Sequence, residues 1–260
     1  LFILVRPVDF MEMPERMLHT AKGVRLMSKW DPPKISKWVS EFLGTFFLVL
    51  TVGLNVLGKS TAGAFSIAAS LTSMIYALCD VSGANFNPAV TITLVCSGVM
   101  EVEDAVPYIL VQLAAGCLAG VTYAAIHAGG DASPSPLGPV NESTWGQVAT
   151  AEFIFTFVLC LVVLGTAVME PTKSRVMFGL TIGSCVTVGG FASGGISGGS
   201  LNPAVSFGIA AADRFMHTAP ACYYSLFEIA GAVVSAMFIK LTHPSLALAR
   251  ETDSYSLLLE

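Results

Sequence analysis

The chain has 260 residues, of which 54% are hydrophobic and 12% are charged, with a mean hydropathy of +0.72 and a formal net charge of −5. A soluble domain normally carries about 25% charged residues, so this composition excludes a soluble globular domain and indicates a protein that lies in a lipid bilayer. No basic patch is interleaved with aromatic residues, which excludes a nucleic-acid surface. The six cysteines have no CxxC spacing and are interpreted as small buried hydrophobic residues, not as disulfides or metal ligands.

Residues 1–35 are polar and mixed in character, and they predict a cytosolic N-terminal arm. A membrane-spanning helix needs about 20 mostly apolar residues. Six segments meet this requirement, at about 38–58, 64–81, 105–127, 146–169, 175–192 and 219–242. Residues 246–260 form a predicted cytosolic tail. An even number of spans places both termini on the same side of the membrane.

The distribution of basic residues indicates which side that is. The arm, the connection around 170–175 and the C-terminal end hold eleven of the 13 Lys and Arg residues. The positive-inside rule therefore predicts that both termini are cytosolic. It does not distinguish between the vacuolar and the plasma membrane. The long connection 128–145 then lies on the other side, where Asn141 begins a glycosylation sequon whose occupancy stays open.

Two further apolar segments are too short to span the membrane. Pro88–Cys96 and Pro203–Ala212 contain nine and ten residues, which as helices would reach only about 14–15 Å, half of the hydrocarbon thickness. Each follows a glycine-containing stretch and the pair Asn-Pro. They are predicted to be half-helices entered from re-entrant loops, because irregular backbone at that depth must be buried in protein or line a wet cavity.

The sequence also repeats itself. "EFLGTFFLVL" near the start of the first span matches "EFIFTFVLCL" in the fourth, and Tyr108 and Gln112 match Tyr224 and Glu228. The halves, about 36–127 and 146–242, each hold three spans and one half-helix, so the second copy must be inverted in the membrane. Inverted repeats place their site near the midplane, at the interface of the two halves.

The repeated half-helix starts indicate what this site does. Asn is a favoured N-cap and Pro is tolerated at the first helical position, while Ala lets two helix ends meet closely. Two such N-termini would bring about +0.5 charge each to one place, which suits a neutral hydroxylic molecule and repels cations. The predicted pore residues are Asn87, Pro88, Ala89, Asn202, Pro203 and Ala204.

The two Asn-Pro-Ala boxes, the two "EFxxTF" openings and Gln112 together resemble the aquaporin, or major intrinsic protein, family over residues 36–245. This resemblance implies an all-α membrane protein with six transmembrane helices and two re-entrant half-helices, arranged as a right-handed barrel. It also implies a homotetramer in the lipid bilayer, with a pore for water or small uncharged solutes in each copy. The sequence contains no His–Glu zinc spacing, and we expect no enzymatic activity, cofactor or metal.

The resemblance assigns roles to further residues. Glu41 and Glu152 match the family's buried glutamates that brace the re-entrant loops; the alternative is an acid near a helix end that reaches water. The family's second constriction, its selectivity filter, falls on four positions: Ile67, Gly190, Gly199 and Val205. If the register of the fifth span shifts by one residue, Phe191 takes the place of Gly190.

Val205 departs from the family pattern, because this position usually carries an arginine. Valine there resembles the tonoplast intrinsic subfamily of plants, and a filter without arginine predicts passage of glycerol, urea or ammonia besides water. A water-selective channel with little solute flux remains the alternative. An ion-coupled secondary transporter would need a charged coupling site at the midplane, and none lies beside the boxes.

Glu228 departs from the repeat, because it stands where the first half has Gln112. It is either a buried acid that is hydrogen-bonded to neighbouring helices or a pH-sensitive element of the channel. A Glu228→Gln variant distinguishes the two.

Overall fold

The computed structural model describes residues 32–130, 133–169, 172, 174 and 176–243. Within this part of the chain, every regular element is a helix. The long helices are α1 (Lys34–Leu57), α2 (Gly63–Ser82), α4 (Val102–Ile126), α5 (Trp145–Val163), α6 (Phe178–Ser193) and α8 (Thr218–Thr242), and the short ones are α3 (Pro88–Cys96) and α7 (Pro203–Ala212). Residues 1–31 of the predicted arm and the whole predicted tail lie outside the described residues.

The predicted order of spans and half-helices is confirmed, and the bounds of α3 and α7 agree with the prediction at both ends. In the described part of the chain, five helices are long and apolar enough to cross a membrane, and one of them is α5 together with the π-helical turn that continues it at Leu164–Val168. The segment predicted at 175–192 differs. Its helix α6 begins at Phe178 and has 16 residues, or about 24 Å, which is shorter than the hydrocarbon thickness of about 30 Å.

Each half-helix packs against the last long helix of the opposite half. Helix α7 lies along α4, and α3 lies along α8. Two glycines of α4 allow the first of these contacts, because a Cβ on Gly116 or Gly120 would collide with the carbonyl oxygens of Ala204 and Gly208. Small residues are the usual means by which helices in a membrane approach closely. Because each half-helix packs on a helix of the opposite half, the N-termini of both half-helices lie at the centre of the bundle.

The outer surface of the bundle is apolar. Leu110, Leu226 and Met237, for example, are more than half exposed, as lipid-facing side chains are. The interior is arranged in a different way, since buried polar side chains gather around the starts of α3 and α7. The site is therefore a polar centre inside an apolar shell.

Candidate functional site

The two asparagines cap the half-helices in matching conformations. Asn87 has φ −155° and ψ 120°, and its Oδ1 accepts from the N–H of Ala89 at 2.8 Å. Asn202 has φ −159° and ψ 114°, and its Oδ1 accepts from the N–H of Ala204 at 2.9 Å. In each case proline occupies the first turn of the helix, where its missing N–H removes no helical bond.

The capping asparagines also tie the two halves together. Asn87 Nδ2 donates to the carbonyl of Leu201 at 2.9 Å, and Asn202 Nδ2 donates to the carbonyl of Phe86 at 3.0 Å. An amide NH₂ has two hydrogens, so each asparagine keeps one donor beyond this bond, and both residues line the central cavity. The sequence predicted amide donors here, but it gave no signal for the crossed bonds between the halves.

The first re-entrant loop is held by one buried carboxylate. Glu41, fully buried, accepts four hydrogen bonds of 2.7–3.0 Å, from the Ser82 hydroxyl, the N–H groups of Asn85 and Phe86, and the Gln112 amide. Such a set of donors replaces the hydration that a carboxylate loses in the membrane. The alternative, that Glu41 reaches water near a helix end, does not describe this geometry.

The second re-entrant loop repeats the arrangement around Glu152. This fully buried carboxylate accepts from the Ser197 hydroxyl at 2.6 Å and from the N–H groups of Ser200 and Leu201 at 3.1 and 2.9 Å. Glu228 holds the next residue of the loop, because its Oε1 accepts from the N–H of Asn202 at 3.0 Å. Two acids therefore serve the second loop, where the first loop uses an acid and an amide.

The loops need this support because their backbone is strained. Phe86 and Leu201, at corresponding positions, have φ of 51° and 54°, and Ala84 has φ of 56°. Non-glycine residues in this left-handed region persist only where the surroundings fix them. The N–H groups of Phe86 and Leu201 donate to Glu41 and Glu152, and the carbonyls of the same two residues accept from the capping asparagine of the opposite half.

A cavity of about 280 Å³ passes these loops. Helices α1, α2, α5 and α6 form its walls, and it runs from Lys59 and Ser60 at the α1–α2 turn to Ala167 and Phe178 towards the other end of the bundle. Both capping asparagines lie on it. Among the described residues that line the cavity, Lys59 at the mouth is the one charged side chain, so no charged side chain lines the cavity beside the boxes.

The four positions assigned to the filter all lie on this cavity: Ile67, Gly190, Gly199 and Val205. Phe191, the alternative to Gly190, does not line it. This residue is 53% exposed on the outer surface, and its ring packs on Phe65 at a centroid distance of 5.2 Å. Val205 is almost fully buried and packs with Val49 and Ala119, so only an edge of it borders the cavity.

The sequence missed one neighbour of these positions. Ala64 lines the cavity, and a Cβ added to Gly190 would lie 3.0 Å from the Ala64 Cβ. Ala64 therefore packs closely against Gly190, and the two residues form adjoining parts of the cavity wall. Nothing in its sequence context distinguishes it from other small residues of α2. No group of three or more His, Cys, Asp or Glu side chains that could hold a metal occurs among the described residues.

Half-helices that meet tip to tip beside a cavity with no charged lining at its centre, inside a bundle of long apolar helices, define a membrane channel. The chain belongs to the major intrinsic protein family, whose model matches residues 28–212 and 180–257. The predicted family and fold are thereby confirmed.

Two archaeal proteins and one plant protein illustrate the relationship. The chain is 33% identical to aquaporin AqpM of Methanothermobacter thermautotrophicus, over 79% of this chain and 94% of that protein. It is 35% identical to the probable aquaporin AqpM of Archaeoglobus fulgidus, over 71% and 75%. It is 31% identical to nodulin-26 of Glycine max, over 78% and 76%.

A solved structure is similar in fold. The aquaglyceroporin from Plasmodium falciparum superimposes with a TM-score of 0.72 at 20% sequence identity, covering 83% of this chain and all of that one.

Proposed function

We propose that this chain is a passive channel that conducts water and small uncharged solutes across a membrane. The observation that carries this proposal is the pair of Asn-capped N-termini on the cavity. Each helix N-terminus is equivalent to about +0.5 charge, and the remaining amide hydrogens of Asn87 and Asn202 are donors. A neutral molecule with a hydroxyl or carbonyl oxygen can accept from both, whereas a cation is repelled.

The solute range follows from the filter positions. Ile67, Gly190, Gly199 and Val205 bring two apolar side chains and two glycines, so this constriction is wide and uncharged. Arginine would add a fixed charge and several donors that narrow the passage. Without it, glycerol, urea and ammonia pass as well as water. Val205 supports a tonoplast-like range, but we base the range on these four residues, since the relatives named above are AqpM and nodulin-26 proteins.

Assembly and orientation complete the proposal. The apolar outer faces suit both lipid and a neighbouring copy, and we place the channel in the bilayer as a homotetramer in which each copy has its own pore. Both termini face the cytosol, because most of the basic residues lie at the ends and in the connection around 170–175. Glu41 and Glu152 brace the loops, and the protein acts without enzymatic chemistry, cofactor or metal.

Osmotic swelling of liposomes that contain the purified full chain tests the proposal. We expect fast water flux and measurable glycerol and urea flux, each linear in the solute gradient, with no proton leak reported by an entrapped pH dye. Fast water flux without solute flux would establish the water-selective alternative. Saturable uptake that depends on an ion gradient would instead indicate a secondary transporter.

A further inference from the structure

The two re-entrant loops are supported by matching sets of contacts. Tyr108 donates its hydroxyl to the Ser82 carbonyl at 2.9 Å, and Tyr224 donates to the Ser197 carbonyl at 2.6 Å. The serine hydroxyls in turn donate to Glu41 and to Glu152. The same correspondence extends along both loops, so a difference between the halves can be located atom by atom.

One donor is missing in the second half. Glu41 Oε2 accepts from the N–H of Phe86 and from Gln112 Nε2, both at 2.8 Å. Glu152 Oε2 accepts from the N–H of Leu201 and from no other group in the described part of the chain. The residue that corresponds to Gln112 is Glu228, so the absent bond is the one that this side chain would make.

The Glu228 carboxyl has one oxygen to spare. Its Oε1 accepts from the N–H of Asn202 and from the Ser206 hydroxyl, both at 3.0 Å. Its Oε2 is fully buried and has no hydrogen-bond partner among the described residues. If Glu228 were ionised, a buried Oε2 without a hydrogen-bond partner would carry part of the negative charge, which is energetically costly. The ionised carboxylates of Glu152 and Glu228 would also repel each other.

We propose that Glu228 is the positioning residue of the second Asn-Pro-Ala box, and that it acts as an un-ionised carboxylic acid whose Oε2 hydrogen is donated to Glu152, as the Gln112 amide donates to Glu41. Oε1 of the same group aligns the N–H of Asn202. The proton belongs to Glu228 because both oxygens of Glu152 already accept from loop donors. Loss of this proton at alkaline pH releases the second loop and lowers the flux.

Few other ionisable groups face Glu228. Helix α5 contributes Glu152 and Cys160, and α7 and the π-helical turn contribute none. Helix α3 contributes only Cys96, at its far end, beside Lys240. On α8 itself, Tyr224 lies one turn away and is occupied by the carbonyls of Gly138 and Ser197. Glu152 and Glu228 are therefore the two carboxyl groups that face each other beside the second box in the described part of the chain.

Exchanging the glutamine at position 112 and the glutamate at position 228 tests the proposal, with flux measured in liposomes that contain the full chain. Between about pH 6 and about pH 9, water flux of the natural protein should fall several-fold. Glu228→Gln supplies an amide donor of the same shape and should keep the flux at its neutral value throughout. Adding Gln112→Glu to this variant moves the acid pair to the first half and should restore the alkaline loss.

The flux test rests on the proposed function, because it requires a conducting channel. An infrared measurement tests the protonation of Glu228 independently of that function. The natural protein at neutral pH should show a carbonyl band of an un-ionised carboxyl that shifts in deuterium oxide and is absent in Glu228→Gln. Absence of that band from the natural protein would overturn the proposal, even if the channel conducts. Equal pH profiles of the natural protein and Glu228→Gln would overturn it too, as would failure of this neutral, isosteric variant to fold.

Discussion

The side-chain amide of Asn202 donates a hydrogen bond to the carbonyl oxygen of Phe86 at 3.0 Å, so the cap of the second half-helix is held by the first re-entrant loop. Asn87 makes the reciprocal bond to Leu201. The arrangement of the two Asn-Pro-Ala boxes is therefore a property of both halves together, and we expect a change in either box to affect the other.

We expect Asn202→Ala to reduce both stability and water flux. The substitution removes a cap worth about 0.5–2 kcal/mol, and it leaves the Phe86 carbonyl without its partner inside the protein. Thermal unfolding in detergent and liposome swelling measure the two effects. The exposed Asn141, which donates to the Gly195 carbonyl away from the boxes, is the control, and Asn141→Ala should leave the water flux unchanged. Equal flux of natural protein and Asn202→Ala would show that the box does not set the flux.

Val205→Arg should lower glycerol and urea flux more than water flux. Val205 borders the cavity while its other side packs on Val49 and Ala119, so a longer side chain has to extend into the passage. The matched control is Val205→Leu, which adds volume without charge or donors. If arginine and leucine reduce all fluxes to the same degree, the effect is one of size alone.

The pair Gly190→Ala and Phe191→Ala distinguishes the two registers of the filter. A methyl group on Gly190 would lie 3.0 Å from the Ala64 Cβ and displace the part of the cavity wall that these two residues form, so solute flux should change. Phe191 packs on Phe65 at the outer surface, so its truncation should leave solute selectivity unchanged. Both fluxes are measured by swelling at equal protein density. A selectivity change with Phe191→Ala alone would place that residue in the filter.

Glu41→Ala should prevent a stable fold or lower the unfolding temperature strongly. The carboxylate accepts four buried hydrogen bonds, and each buried donor left unsatisfied costs about 1–3 kcal/mol. The recovery of folded protein from membranes and its melting temperature report this. Glu101, which is exposed at the start of α4, provides the control in Glu101→Ala. A Glu41→Ala protein as stable as that control would mean that the loop is held by its other contacts.

The sequence predicted where the helices of the site begin and end more accurately than it predicted the contacts between them. The bounds of α3 and α7 follow from local signals, because Asn-Pro fixes where each half-helix starts and a short apolar run limits its length. The bounds of α6 were less well predicted. It begins at Phe178, within a region of small and apolar residues that carries no comparable signal.

By itself the sequence determined that the chain lies in a membrane, that its halves repeat, and that two capped half-helices face each other, since these depend on composition, spacing and local capping. Only the tertiary structure decided that Gly190 faces the cavity while Phe191 faces outwards, because adjacent residues on a helix point about 100° apart and packing sets the rotation of the helix. It also decided that each asparagine bonds to the opposite half and that Glu228 Oε1 accepts from Asn202 and Ser206, while its Oε2 has no partner among the described residues. Those contacts join residues more than 20 positions apart in the chain, so no local pattern encodes them.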